Sequence, residues 1–152
     1  MNAKFLAASL ALALGAGTAA SAFAQVKPEV LVKQRQAAMT LQGKYFGPLG
    51  AMAQGKIPFD GKIVTRNAGF LSTLSQMPWD GFDPSTSGVK SAALPAIWKD
   101  SAKFKSAQDL LVENVTKLVA ATKGGDEAAM KTASAAVGKA CGGCHDDFRE
   151  KK

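Results

Sequence analysis

The sequence predicts an all-α, single-domain fold, an antiparallel four-helix bundle. Three observations lead there. Four stretches carry apolar residues at steps of three, four, seven or eight, the spacing that gathers side chains on one face of a helix. Connections marked by Gly, Pro or Asp separate those stretches. No stretch sustains the two-residue alternation of a strand, and no internal repeat is evident.

The first 24 residues read as a leader rather than as part of the fold. Met1–Lys4 give a short basic start, Phe5–Ala20 are almost entirely Ala, Leu and Gly, and Ala22-Phe23-Ala24 has the small-x-small form of a cleavage site. Gly15 and Gly17 interrupt the apolar run, so a cleaved signal peptide fits better than a retained membrane anchor. Residues 1–24 are therefore expected to direct export to the periplasm, and residues 25–152 to form the domain. Loss of Lys4 lowers the net charge from +7 to +6. The lysines are scattered without a basic block, which argues against nucleic-acid binding. Such a surface keeps a protein soluble and could steer an acidic redox partner.

The first helix is expected from Pro28 to about Gln54. Pro28 suits a first turn and Glu29 suits the positive end of the helix dipole. Val30, Ala38, Leu41, Tyr45, Leu49 and Met52 read as its buried stripe, and Gly47-Pro48 as a kink or break. Asp60 caps a second helix, in which Ile63, Asn67, Phe70, Leu74 and Met77 repeat the spacing up to Pro78. Residues 78–95 form a long loop around Trp79 and Phe82, and long loops in compact domains are often functional.

A third helix is expected to begin between Pro95 and Asp100 and to run to about Lys123. Its stripe is Ile97, Phe104, Leu111, Val115, Leu118 and Thr122, and Gly124-Gly125 end it. Asp126 caps the fourth, with Glu127 in its first turn. Met130, Ser134, Val137, Cys141, Cys144 and Phe148 then advance by four, three, four, three and four. Both thiols thus stand where core hydrophobes would otherwise sit.

Cys141-Gly142-Gly143-Cys144-His145 is the chemistry-bearing motif. Two thiols three residues apart with a histidine directly after form the attachment pattern of a c-type haem. The thiols bond the macrocycle and His145 is expected to ligate the iron. Zinc normally takes four protein ligands, and the chain offers two cysteines and one histidine. A structural disulfide would need no adjacent histidine, and a redox dithiol is expected near a βαβ pattern that is absent here. With one histidine, a hydrolytic triad is improbable beside iron ligation, and no enzyme activity is expected.

The chain resembles the cytochrome c′ family. The resemblance is carried by Val32-Lys33-Gln34-Arg35-Gln36 with Met39, by Leu94-Pro95-Ala96-Ile97-Trp98, and by the closing run from Cys141 to Arg149. It implies a four-helix bundle with one covalently bound haem c, held through Cys141 and Cys144 with His145 as proximal ligand. It further implies that Arg149 lies beside the imidazole on the proximal side. Arg35 and Gln36 would meet the haem propionates, with Lys90 and Ser91 at the haem edge. The resemblance sets two readings of Met39 side by side. Covering an open, five-coordinate high-spin iron, it would leave room for nitric oxide and carbon monoxide. Bound to the iron, it would make a low-spin electron carrier. The open site is favoured by the Arg35-Gln36-x-x-Met39 pattern. Nitric oxide could then weaken the bond to His145, with Arg149 assisting on that face. An unidentified redox partner and a homodimer paired through the first two helices are also implied.

Overall fold

The computed structural model describes residues 26–151, so the expected leader at 1–24 lies outside the described residues. Four long helices form the bundle: α1 (Pro28–Ala53), α2 (Gly61–Leu74), α4 (Ser101–Gly124) and α5 (Glu127–Phe148). A single turn, α3 (Ala96–Lys99), precedes α4. Packing runs around a ring, α1 on α2, α2 on α4, α4 on α5 and α5 back on α1. Among the described residues there is no strand, only an isolated antiparallel bridge between Ala93 and Arg149.

Local chemistry sets the ends. Asp60 accepts hydrogen bonds from the Lys62 and Ile63 amides at the start of α2. Asp100 and Asp126 cap α4 and α5 in the same way, through the Lys103 and Ala129 amides. Each satisfies backbone donors that have no partner inside the first helical turn. α4 stops at Gly125, whose φ of 68° lies in the left-handed region that glycine adopts without steric cost.

The structure departs from the sequence expectations at four places. α1 runs unbroken through Gly47 and Pro48. Pro48 deprives only the Lys44 carbonyl of its helical partner, and Lys44 is on the exposed face, where water can replace that bond. Val30 and Leu41 are exposed, and α1 instead buries Val32, Arg35, Ala38, Gln42, Leu49 and Met52. In α2 the buried face is Val64, Asn67, Ala68, Leu71 and Leu74, leaving Phe70 and Met77 outside. The expected third helix is interrupted at Asp100, whose non-helical backbone (φ −124°, ψ 65°) separates α3 from α4.

Two cores result. Leu49, Met52, Val64, Ala68, Leu111, Val115, Leu118 and Met130 belong to a mainly aliphatic cluster that fills one end of the bundle. At the other end Ile97, Phe104 and Phe148 pack with Trp79, Phe82, Trp98 and Cys144. Phe104 is the hub, with ring centroids 4.9 Å from Phe82, 5.1 Å from Phe148 and 6.1 Å from Trp79. Between these clusters the bundle is hollow.

Candidate haem site

A cavity of about 650 Å³ opens between α1 and α5 and is lined by both ends of the chain. Cys141, Cys144 and His145 enter it from the last two turns of α5. Positions three and four residues apart share a helical face, which is why the motif converges on one space. Arg35, Gln36, Met39 and Phe46 line the opposite wall from α1. Trp79, Phe82 and Ser91 come from the long loop, and Arg149 closes the rim. Lys90 is exposed and does not line the cavity, whereas its neighbour Ser91 does.

The thiols are half-buried and unpaired. Burial pushes the Cys141 thiol up, and burial together with the neighbouring Cys141 and Asp147 pushes Cys144 up to about 11. Both sit at the C-terminal end of α5, where the dipole also opposes a thiolate. Redox dithiols have the reverse arrangement, with a thiolate favoured at a helix N-terminus. Burial, then the Arg149 charge, holds the His145 imidazole below its ordinary pKa. Both effects favour the neutral imidazole, the form that ligates metals.

Arg149 is not on the helix as its position in sequence suggests. α5 ends at Phe148, and Arg149 turns into extended backbone. Its amide donates to the His145 carbonyl at 3.2 Å. Two further bonds tie this end down, Leu94 amide to Phe148 carbonyl at 3.0 Å and Glu150 amide to Ala92 carbonyl at 2.9 Å.

Arg35 is only 3% exposed, although its charge has no ion-pair partner among the described residues. Its Nη1 donates to the Gly81 carbonyl and, at 2.9 Å, to Thr86 Oγ1. Its Nη2 donates to Ser91 Oγ at 3.0 Å, and the guanidinium lies 4.5 Å from the Phe82 ring centre. Burial pulls its pKa down, yet a guanidinium keeps its charge. A buried cation facing a cavity calls for an anion there.

Several lining and supporting residues carry no motif. Gln42 is buried and donates to the Leu74 carbonyl at 3.0 Å, joining α1 to the end of α2. Its signal in the sequence is a place seven residues after Arg35, on the same face. The Phe46 ring wedges between α1 and α5, so that a Cβ at Gly138 would lie 2.9 Å from it. Gly81 touches α1 so closely that its own Cβ would stand 2.6 Å from Arg35 Cβ. Thr86 is wholly buried within a loop rich in Ser and Thr, and nothing in the sequence singles it out.

These residues fit a haem. Two thiols and an imidazole share one face, the walls are largely apolar, and a buried guanidinium would offset a haem carboxylate. The volume suits a bound organic cofactor. Fold and site together define a helical-bundle c-type cytochrome.

Comparison with known proteins gives the family. The sequence model of the family described as Cytochrome C' matches residues 30–149, and the chain belongs to that family. It is 48% identical over 126 residues to cytochrome c′ of Rubrivivax gelatinosus, covering 82% of this chain and 98% of the relative. The crystal structure of Rubrivivax gelatinosus cytochrome c′ superposes with a TM-score of 0.77 at 47% identity, covering 82% of this chain and 98% of that one. A nitric oxide complex of a single-leucine variant of cytochrome c prime from Alcaligenes xylosoxidans superposes with a TM-score of 0.75 at 40% identity, covering 83% and 98%. The cofactor is haem c, covalently bound through Cys141 and Cys144.

Proposed function

We propose that this is a periplasmic haem protein, without enzymatic activity, that binds nitric oxide and carbon monoxide at a five-coordinate high-spin iron and can exchange electrons. His145 holds the iron from α5, and Met39 covers the opposite side without bonding to it. Arg35 and Gln36 meet the haem carboxylates, Ser91 borders the haem edge, and Arg149 flanks His145. Haem iron supplies one coordination position for a small neutral molecule.

One observation carries the gas-binding reading: apart from Gln36, the polar side chains on the α1 and α2 walls are already committed elsewhere. Thr40 donates to the Gln36 carbonyl at 2.8 Å, Gln42 to the Leu74 carbonyl, and Ser75 to the Ser72 carbonyl at 3.3 Å. Arg35 is held by the loop. Half-buried Met39 lines the same cavity as the apolar Phe46, Leu71, Val115 and Val137. Such a wall favours nitric oxide and carbon monoxide over dioxygen, which needs a hydrogen bond to be held. The nitric oxide complex of the Alcaligenes relative supports the same reading.

Exposed Leu41 and Phe70, on the outer faces of α1 and α2, support a homodimer paired there. The redox partner is unidentified; scattered lysines suit an acidic one.

The second reading is a low-spin electron carrier with His145 and Met39 as axial ligands. It rests on Met39 and His145 lining the same cavity, one from α1 and the other from α5. Met39→Ala separates the two. In the open-site reading the ferric spectrum is high-spin before the change and stays so. Conversion of a low-spin spectrum to a high-spin one on substitution would assign Met39 as ligand.

A further inference from the structure

Arg35 does more than offset a haem carboxylate. Three of its five N–H groups are directed at one loop, at Gly81, Thr86 and Ser91. The loop is shaped to receive it. Gly81 lies flat on α1, where a Cβ would also stand 2.8 Å from the Leu31 carbonyl. Thr86 is buried, and its hydroxyl donates in turn to the Asp83 carbonyl at 2.7 Å. Ser91 Oγ also accepts the Ala93 amide at 3.3 Å, next to the Ala92–Leu94 segment pinned to the end of α5. Phe82 packs under the guanidinium and against Phe104.

We infer that Arg35 is a positioning residue. It clasps residues 79–91 against α1 and so seals the Trp79–Phe82 side of the cavity against passage of small molecules. The sealing role rests on the gas-binding reading above; the clasp itself does not. A point charge such as lysine could still attract a haem carboxylate, but it lacks the planar fork that reaches Thr86 and Ser91 from separate nitrogens.

The test uses the haem-loaded protein and three variants, Arg35→Lys, Thr86→Val and Ser91→Ala. Thr86 does not line the cavity, so its replacement loosens the clasp without touching the ligand site. Hydrogen exchange at the Gly81, Thr86 and Val89 amides reports the loop, and those of α4 and α5 report the bundle. Thr86→Val is expected to speed loop exchange by about tenfold or more while the bundle amides change little. It should raise carbon monoxide association and dissociation by one common factor, leaving affinity unchanged. Ser91→Ala and Arg35→Lys also touch the haem site and are read by loop exchange alone, which Ser91→Ala should speed less than Thr86→Val and Arg35→Lys at least as much.

Wild-type loop exchange in Arg35→Lys would overturn the clasp, because charge alone would then suffice. Uniformly faster exchange throughout the bundle in Thr86→Val would overturn it too. Faster loop exchange with unchanged carbon monoxide rates would remove the sealing role. Were the unaltered protein indifferent to carbon monoxide, the gas-binding reading would fall, and loop exchange would still decide the clasp.

Discussion

The two ends of the bundle are built from different materials. At the α1–α2 connection, Leu49, Met52, Val64, Leu118 and Met130 interlock with almost no exposed surface. At the opposite end, Trp79, Phe82, Phe104 and Phe148 form an aromatic box beside a cavity, with a buried arginine and a loop held by hydrogen bonds. Aliphatic interlocking resists change because close-packed side chains lose both transfer and contact energy when truncated. A wall of rings and directed hydrogen bonds can instead hold its shape around a cofactor. Stability and function are thus divided lengthwise.

The largest effect should come at the hollow end. Replacing both Cys141 and Cys144 with alanine should abolish covalent haem attachment, read as loss of haem staining after denaturing electrophoresis. The helical circular dichroism should survive in large part, carried by the interlocked end. Complete loss of helicity would show that the two ends do not separate as described.

Leu118→Ala probes the other end. Leu118 is wholly buried, and its truncation should cost about 2–5 kcal/mol in denaturant unfolding. The haem spectrum should not move, because Leu118 does not line the cavity. A spectral change would tie the ends together.

Gly81→Ala should be smaller in energy but visible at the site. Crowding Arg35 and the Leu31 carbonyl is expected to cost about 1–3 kcal/mol in the same assay. Unlike Leu118→Ala, it should increase proteolysis within residues 81–91. The smallest effect belongs to the surface. Asp109→Asn breaks the exposed pair with Lys105 on α4 and should change unfolding by no more than about 0.5 kcal/mol.

The stripes of α4 and α5, which span both ends, were the more legible in sequence. Phe104, Leu111, Val115 and Leu118 in α4, and Met130, Ser134, Val137 and Phe148 in α5, are buried as their spacing indicates. The α1 stripe was misread because two of its buried positions are polar. Arg35 and Gln42 are paid no attention by a hydrophobic pattern, and their partners lie 46 and 32 residues away. Val30 and Leu41 were read into the stripe in their stead. Phe70 misled for another reason: its ring packs on Tyr45 at 4.7 Å on the outer surface, so it is apolar without belonging to the core.

The site followed the same division. Cys141, Cys144 and His145 were legible because their spacing is local, and Arg35, Gln36, Met39, Ser91 and Arg149 through family resemblance. All eight line the cavity. Thr86 and Gly81 were not, since each acquires its role only when the loop meets α1. Lys90 does not line the cavity and its neighbour Ser91 does, in a loop whose side-chain directions no periodicity dictates.

Whether the iron is open on the Met39 side is read from the absorption spectrum of the reduced protein before and after nitric oxide. An open iron gives a high-spin spectrum that changes on adding the gas. A low-spin spectrum that nitric oxide leaves unaltered would contradict it.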